Sequence, residues 1–212
     1  MNRYLATGLA AGLCLAVAGS ASADVILSNL PANPSTTGTN LGVGSDAADR
    51  TKGVGFTTGS SDLLFDTMTV LMSNENGPTD TLLTGGIYSS VNNTPATKLV
   101  EFIPVTVGAG LSPTLFSTET TVDFTLQADT TYWFVLEGPD TLNYLRWQLV
   151  SPQMVPETTG VTYRGYRFSS NGGASWVSSS STNGISISAI PVPEPAVASL
   201  GLGGLVLLRR RR

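Results

Sequence analysis

The chain has 212 residues, 15 acidic and 11 basic, for a net charge of −4, with no histidine and a single cysteine. That composition excludes imidazole acid–base chemistry, a Ser-His-Asp triad and histidine metal ligands. Between Asp24 and Ile190 six basic residues face fourteen acidic ones, and no basic run carries interleaved aromatics, so nucleic acid is not an expected partner.

The first predicted element is an export signal covering residues 1–23. Arg3 supplies a positive n-region, Leu5 to Ala18 an apolar h-region, and Ala21-Ser22-Ala23 an A-x-A cleavage site immediately before Asp24. Cys14 lies inside the h-region behind Leu13, where lipoprotein processing needs a small residue, so lipidation is not expected. Removal of the signal leaves a chain without cysteine, hence without disulfides or a thiolate nucleophile. Its stability has to come from a hydrophobic core, and residues 24–190 are long enough for one domain with such a core.

That body reads as all-β. Strands are predicted at Val25–Leu27, Val54–Thr57, Leu64–Met72, Leu82–Tyr88 and Leu99–Val107, and the third of these places Phe65, Thr67, Thr69 and Leu71 on one side. Thr121–Leu126 alternates more cleanly, with Val122, Phe124 and Leu126 sharing a face. Ala128-Asp129-Thr130 then turns the chain into Thr131–Leu136, an apolar run expected to be a buried central strand. Leu145–Val150, Thr162–Phe168 and Ile185–Ile190 complete the set. No window is amphipathic at the helical period, and turn signals such as Asn76-Gly77-Pro78, Ser112-Pro113 and Gly138-Pro139-Asp140 separate the strands. A single β-sandwich of jelly-roll type is the expected fold.

Near the end of the body, Ser169-Ser170-Asn171-Gly172-Gly173-Ala174-Ser175-Trp176 is similar to the Asp-box of sialidases and other secreted β-proteins, Ser-x-Asp-x-Gly-x-Thr-Trp. Asn171 stands for the aspartate and Ser175 for the threonine. The physical expectation is a structural hairpin, with Ser169, Asn171 and Gly173 forming the turn and Trp176 folding back onto the sheet. Together with Ile26–Leu30 and Leu126–Trp133, this segment resembles the choice-of-anchor domains, exported bacterial domains that recur with different C-terminal anchors. The resemblance implies a surface β-domain and no particular activity.

The last predicted element, residues 191–212, is an address. Pro193-Glu194-Pro195 precedes the apolar run Ala196–Leu208 and the cluster Arg209, Arg210, Arg211 and Arg212. As a helix the run spans about 20 Å, short against a hydrocarbon core of roughly 30 Å. Extended back to Pro191, with the arginines snorkelling to headgroups on the cytoplasmic side, it becomes a weakly held span. This order of parts resembles the PEP-CTERM sorting signal of Gram-negative bacteria. The resemblance implies recognition by a membrane-embedded exosortase, cleavage near Pro193-Glu194-Pro195, transient residence in the inner membrane and delivery to the cell surface or extracellular matrix.

Chemistry-bearing clusters in the body are few. Glu101, Glu119, Glu137 and Glu157 are the carboxylates available for a glycosidase pair, and scattered on a sandwich they read as solvated. No cofactor is expected. Asp46-Ala47-Ala48-Asp49 and Asn74-Glu75-Asn76 with Asp80 offer loop oxygens that would suit calcium in an exported protein, without matching a defined calcium loop. Trp133, Trp147, Trp176, Tyr144, Tyr163 and Tyr166 are either core residues or a sugar-stacking platform. The expectation is therefore a non-enzymatic exported protein with a structural or adhesive role. A carbohydrate-binding module that holds an extracellular polysaccharide is the alternative, and a secreted hydrolase a more distant one.

Overall fold

A computed structural model describes residues 22–193, and within them every regular element is a strand. In chain order these are β1 (Asp24–Ser28), β2 (Asn33–Asn40), β3 (Gly42–Val43), β4 (Asp49–Thr58), β5 (Leu63–Ser73), β6 (Thr81–Val91), β7 (Thr94–Glu101) and β8 (Val105–Val107). They continue as β9 (Thr114–Thr118), β10 (Thr125–Leu126), β11 (Thr131–Glu137), β12 (Arg146–Ser151), β13 (Glu157–Thr158), β14 (Val161–Ser169), β15 (Val177–Ser179) and β16 (Ile185–Pro191). Two eight-stranded antiparallel sheets result. Sheet I runs β13-β1-β16-β5-β12-β2, with β9 and β10 also on β5; sheet II runs β15-β14-β4-β11-β6-β7, with β3 on β4 and β8 on β6. Successive long strands cross between sheets, β4 to β5 to β6 and later β11 to β12, β14 and β16, which gives the sandwich its jelly-roll-like path.

The core lies between the sheets. Met68, Val70, Trp147 and Ile187 of sheet I meet Val54, Phe56, Phe134 and Tyr166 of sheet II. Phe65 and Phe134 bring ring centroids to 5.3 Å across the gap, and Trp147 meets Tyr166 edge-on at 5.8 Å. Lys52 also points inward, almost fully buried, donating to Thr39 Oγ1 at 3.2 Å and the Ser181 carbonyl at 3.1 Å beneath the Tyr166 ring. With no carboxylate beside it, burial lowers its pKa to about 8.

β11 is the central strand its apolar run predicts, paired on one side with β4 and on the other with β6. Its even-numbered side chains enter the core, while Trp133 and Val135 lie on the outer face and are nevertheless buried. The reason is in β4, where Gly53 and Gly55 alternate with Lys52, Val54 and Phe56. A Cβ on Gly55 would stand 2.8 Å from three atoms of the Trp133 ring, so the glycine lets the indole lie flat across the neighbouring strand. Arg167 covers the ring from above at 5.5 Å while donating to the Asn93 carbonyl and to Ser178 Oγ.

Three sequence expectations are corrected, and one edge strand lies outside them. A bulge opposite Ser188 and Ala189 breaks the alternation of β5, so Phe65 is followed inward by Met68, Val70 and Met72, and Thr67 and Thr69 face outward. Thr121–Leu126 forms only the short β10, and Val122, in the connection between β9 and β10, is exposed at 64%. Leu99–Val107 is two strands interrupted around Pro104, where Phe102 instead bridges Thr120. β2, Asn-Pro-Ser-Thr-Thr-Gly-Thr-Asn, carries no hydrophobic alternation and is not among the predicted strands; it is an edge strand held by β12.

Candidate functional site

Register alone assembles the most polar feature of the molecule. At one end of sheet II, Ser169 of β14 stands opposite Thr51 of β4, Thr51 opposite Glu137 of β11, and Glu137 opposite Thr84 of β6. Side chains on such a row share one face, here the outer face. Beyond Ser169 the Asp-box-like turn begins, and its hydrogen bonds are those a closed hairpin needs. Ser169 Oγ accepts from the backbone amides of Asn171 at 3.2 Å and Gly173 at 2.9 Å, and donates to Asn171 Oδ1 at 2.8 Å. Asn171 Oδ1 also accepts from the Ser175 amide, and its Nδ2 donates to Ser175 Oγ, both at 2.9 Å. Gly172 and Gly173 take φ of +64° and +85°, which favour glycine, and Trp176 folds half-buried against Gly173.

The turn is pinned to β4, with the Gly172 amide donating to the Asp49 carbonyl at 2.9 Å. The absence of a side chain on Gly172 has a further effect, because a Cβ there would lie 2.5 Å from Asp49 Oδ2. The carboxylate of Asp49 therefore nests directly under the turn. Facing it across an open cleft of about 430 Å³ are Thr51, Thr84, Glu137 and the Gly138-Pro139-Asp140 loop. Burial first, then the negative charges of Asp140 and Glu137, push the Asp49 carboxyl above its ordinary range.

The three carboxylates are not equivalent. Glu137 is tied back, accepting from Lys98 Nζ at 2.9 Å and from the Tyr88 hydroxyl. Burial, with that same carboxylate next, pushes the Tyr88 phenol far upward. Among the described residues no basic side chain pairs with Asp49 or Asp140. Thr51 is 5% exposed, and its Oγ1 is buried without a hydrogen-bond partner, an arrangement that costs about 1–3 kcal/mol when left unanswered. The sequence offered Asp49 only as a loop oxygen beside Asp46, and Asp140 only as a turn residue; the β4–β11–β14 register is what brings the two together.

Other predicted residues fall elsewhere. Asp24 opens β1 opposite Ala189 of β16, next to the predicted signal-peptide cut after Ala23. Pro193 is the last described residue, and Ala21, Glu194, Pro195 and Arg209 to Arg212 lie outside the described residues. Of the two loops expected to suit calcium, the first is split, since its Asp49 lines the cleft while Asp46 does not, and Asn74 and Asp80 of the second have protein partners. Asp46 is taken by Arg50 and by the Ala48 amide, Asn74 is buried and donates to the Thr79 carbonyl at 2.9 Å, and Asp80 accepts from the Ala109 amide at 2.9 Å. Of the glutamates, Glu101 reaches Glu137 only through Lys98, and Glu157 lies on sheet I. Among the aromatics, Trp147 and Tyr166 are core, Trp133 is fully buried under Arg167, Trp176 and Tyr163 are half-buried, and Tyr144 is exposed at 38%. These six do not form one exposed platform.

No family model, curated protein or solved structure matches the chain. The functional reading rests on the residues and geometry of the chain itself.

Proposed function

We propose that the protein is exported, sorted through its C-terminal signal by an exosortase, and delivered to the cell surface or extracellular matrix, where the sandwich has a structural or adhesive role. One observation carries this reading. The strands fill the interval from Asp24 to Pro191, which is the interval left between the predicted signal-peptide cut and the Pro193-Glu194-Pro195 motif. β1 and β16 are antiparallel neighbours, so Asp24 and Ala189 sit side by side and both flanking peptides join the same end of sheet I. Removal of either flank spares every strand, as a processed precursor requires.

The orientation of the strands adds to this. Pro191 pairs with Leu63 at the start of β5, and the Val192 amide donates to the Asp62 carbonyl, beside the loop where β4 ends. The Asp49 cleft is at the opposite end of β4, roughly 30 Å away over ten residues. A domain held by its C-terminus would present that cleft outward. The test is fractionation of an exosortase-bearing host expressing wild type or Glu194→Ala. The expected result is wild type at the surface or in the medium and the variant retained in the inner membrane; the same distribution for both overturns the sorting reading.

A further inference from the structure

We infer that Lys52 and Asn183 form an intramolecular isopeptide bond, a covalent staple between the two sheets of a domain whose residues 24–190 contain no cysteine. The inference does not rest on the sorting reading.

The first ground is how the two side chains meet. Lys52 lies on β4 of sheet II and Asn183 just before β16 of sheet I, and both are buried. Thr39 Oγ1 accepts from both, from Lys52 Nζ at 3.2 Å and from Asn183 Nδ2 at 3.3 Å. The other neighbours of the amine lead to the same residue. Ser181, whose carbonyl accepts from Nζ at 3.1 Å, is two positions before Asn183. Tyr166, whose ring the amine faces, donates its hydroxyl to the Asn183 carbonyl at 2.7 Å, and Asn29 Nδ2 donates to that carbonyl at 3.0 Å. The asparagine is thus held beside the amine, and the encounter is intramolecular.

The second ground is an imbalance of polar groups. A charged lysine and an asparagine crowd N–H donors into the core, while Asn183 Oδ1 is buried and accepts from none of them. Among the described residues no carboxylate pairs with Lys52. Burial therefore leaves about a tenth of the amine neutral at pH 7, and a neutral, desolvated lysine is a nucleophile. Its lone pair attacks Asn183 Cγ, the new C–N bond forms and the Cγ–Nδ2 bond breaks. Nδ2 leaves as ammonia, taking the electron pair of that bond and a proton from Nζ. Thr39 Oγ1, in contact with both nitrogens, relays the proton, and its half-buried place on edge strand β2 gives ammonia a way to solvent. One amide replaces another, so no oxidant or cofactor enters. The product has no buried charge and a single N–H, and it frees the Thr39 hydroxyl to donate to the carbonyl oxygen. The bond ties β4 to the segment entering β16 and constrains the unfolded chain as a disulfide would. The freshly folded chain holds the free amine, and conversion is slow at neutral pH because only the neutral fraction reacts.

The test is intact-mass and peptide-mapping spectrometry of the purified protein held at pH 7 and at pH 9, folded or in urea. The expected result is a species lighter by one ammonia whose digest contains a single branched peptide joining Lys52 to Asn183. It should accumulate about tenfold faster at pH 9 than at pH 7, following the neutral amine, and only in the folded protein. Lys52→Arg keeps the charge and should abolish the species, and Thr39→Val should slow it. The wild-type digest decides the matter whether or not either variant folds. Asn183 precedes Gly184, so ammonia is also lost where a succinimide forms between those two residues. Loss of ammonia that persists in Lys52→Arg, or that maps to Asn183-Gly184 without Lys52, overturns the assignment, as does a folded wild type that keeps its full mass at pH 9.

Discussion

The two ends of the sandwich are made from the same strands and differ in how they are built. At the end that carries Asp24 and Pro191, neighbours in space are joined by backbone pairing, β1 with β16 and β16 with the start of β5. At the other end, Asp49, Thr51, Glu137 and Asp140 meet a glycine turn across an open cleft, with one buried hydroxyl unanswered and two carboxylates that have no basic partner among the described residues. The first arrangement suits a point of attachment, where strain transmitted through the chain is met by long ladders of hydrogen bonds. The second leaves polar groups facing solvent, as a contact surface does.

The largest expected effect separates a structural Trp133 from a sugar-stacking one. Trp133→Ala should lower stability by about 3–5 kcal/mol in urea unfolding, because the indole is wholly buried between Gly55 and Arg167. A tolerated substitution would mean that the outer face opens and would revive the carbohydrate platform.

Lys52 gives the next effect and a pH signature. Below pH 8 it is charged in both folded and unfolded chains. Between about pH 8 and its ordinary 10.5 only the unfolded chain keeps the proton, so stability rises with pH across that window. The contribution approaches about 3 kcal/mol. Above about pH 10 the tyrosines whose phenols burial holds protonated, Tyr88, Tyr163 and Tyr166, act in the opposite sense. The comparison of wild type with Lys52→Met between pH 7 and 9.5 isolates the lysine: the rise should be present in the first and absent from the second.

Asn171→Ala should cost about 1–2 kcal/mol in urea unfolding by removing the bonds to Ser175 and Ser169. An unchanged unfolding free energy would mean that the glycines hold the turn without these side-chain bonds. The smallest effect is expected at the other end, where shortening the chain to residues 24–193 should change the unfolding free energy by less than about 0.5 kcal/mol. A larger loss would make the flanks part of the fold.

Sequence reading was uneven for physical reasons. Thr131–Leu136 was legible as a central strand because a strand buried on both faces is apolar throughout, and the Ser169–Trp176 turn because its glycines and asparagine are local requirements. β2 was invisible because an edge strand of serine and threonine buries little, and β5 misled because a bulge exchanges inner and outer residues without any mark in composition. The cleft escaped for a different reason. Asp49 and Asp140 lie ninety-one positions apart, and nothing in either segment encodes the register that places Thr51 opposite both Glu137 and Ser169.

The most direct test of the central claim, a complete domain bracketed by two processing points, is terminal peptide mapping of the protein recovered outside an exosortase-bearing host. The account predicts a first residue at Asp24 and a last residue at or just beyond Pro191, with β1 and β16 whole. A chain still ending in Arg212, or one cut inside β1 or β16, would contradict it.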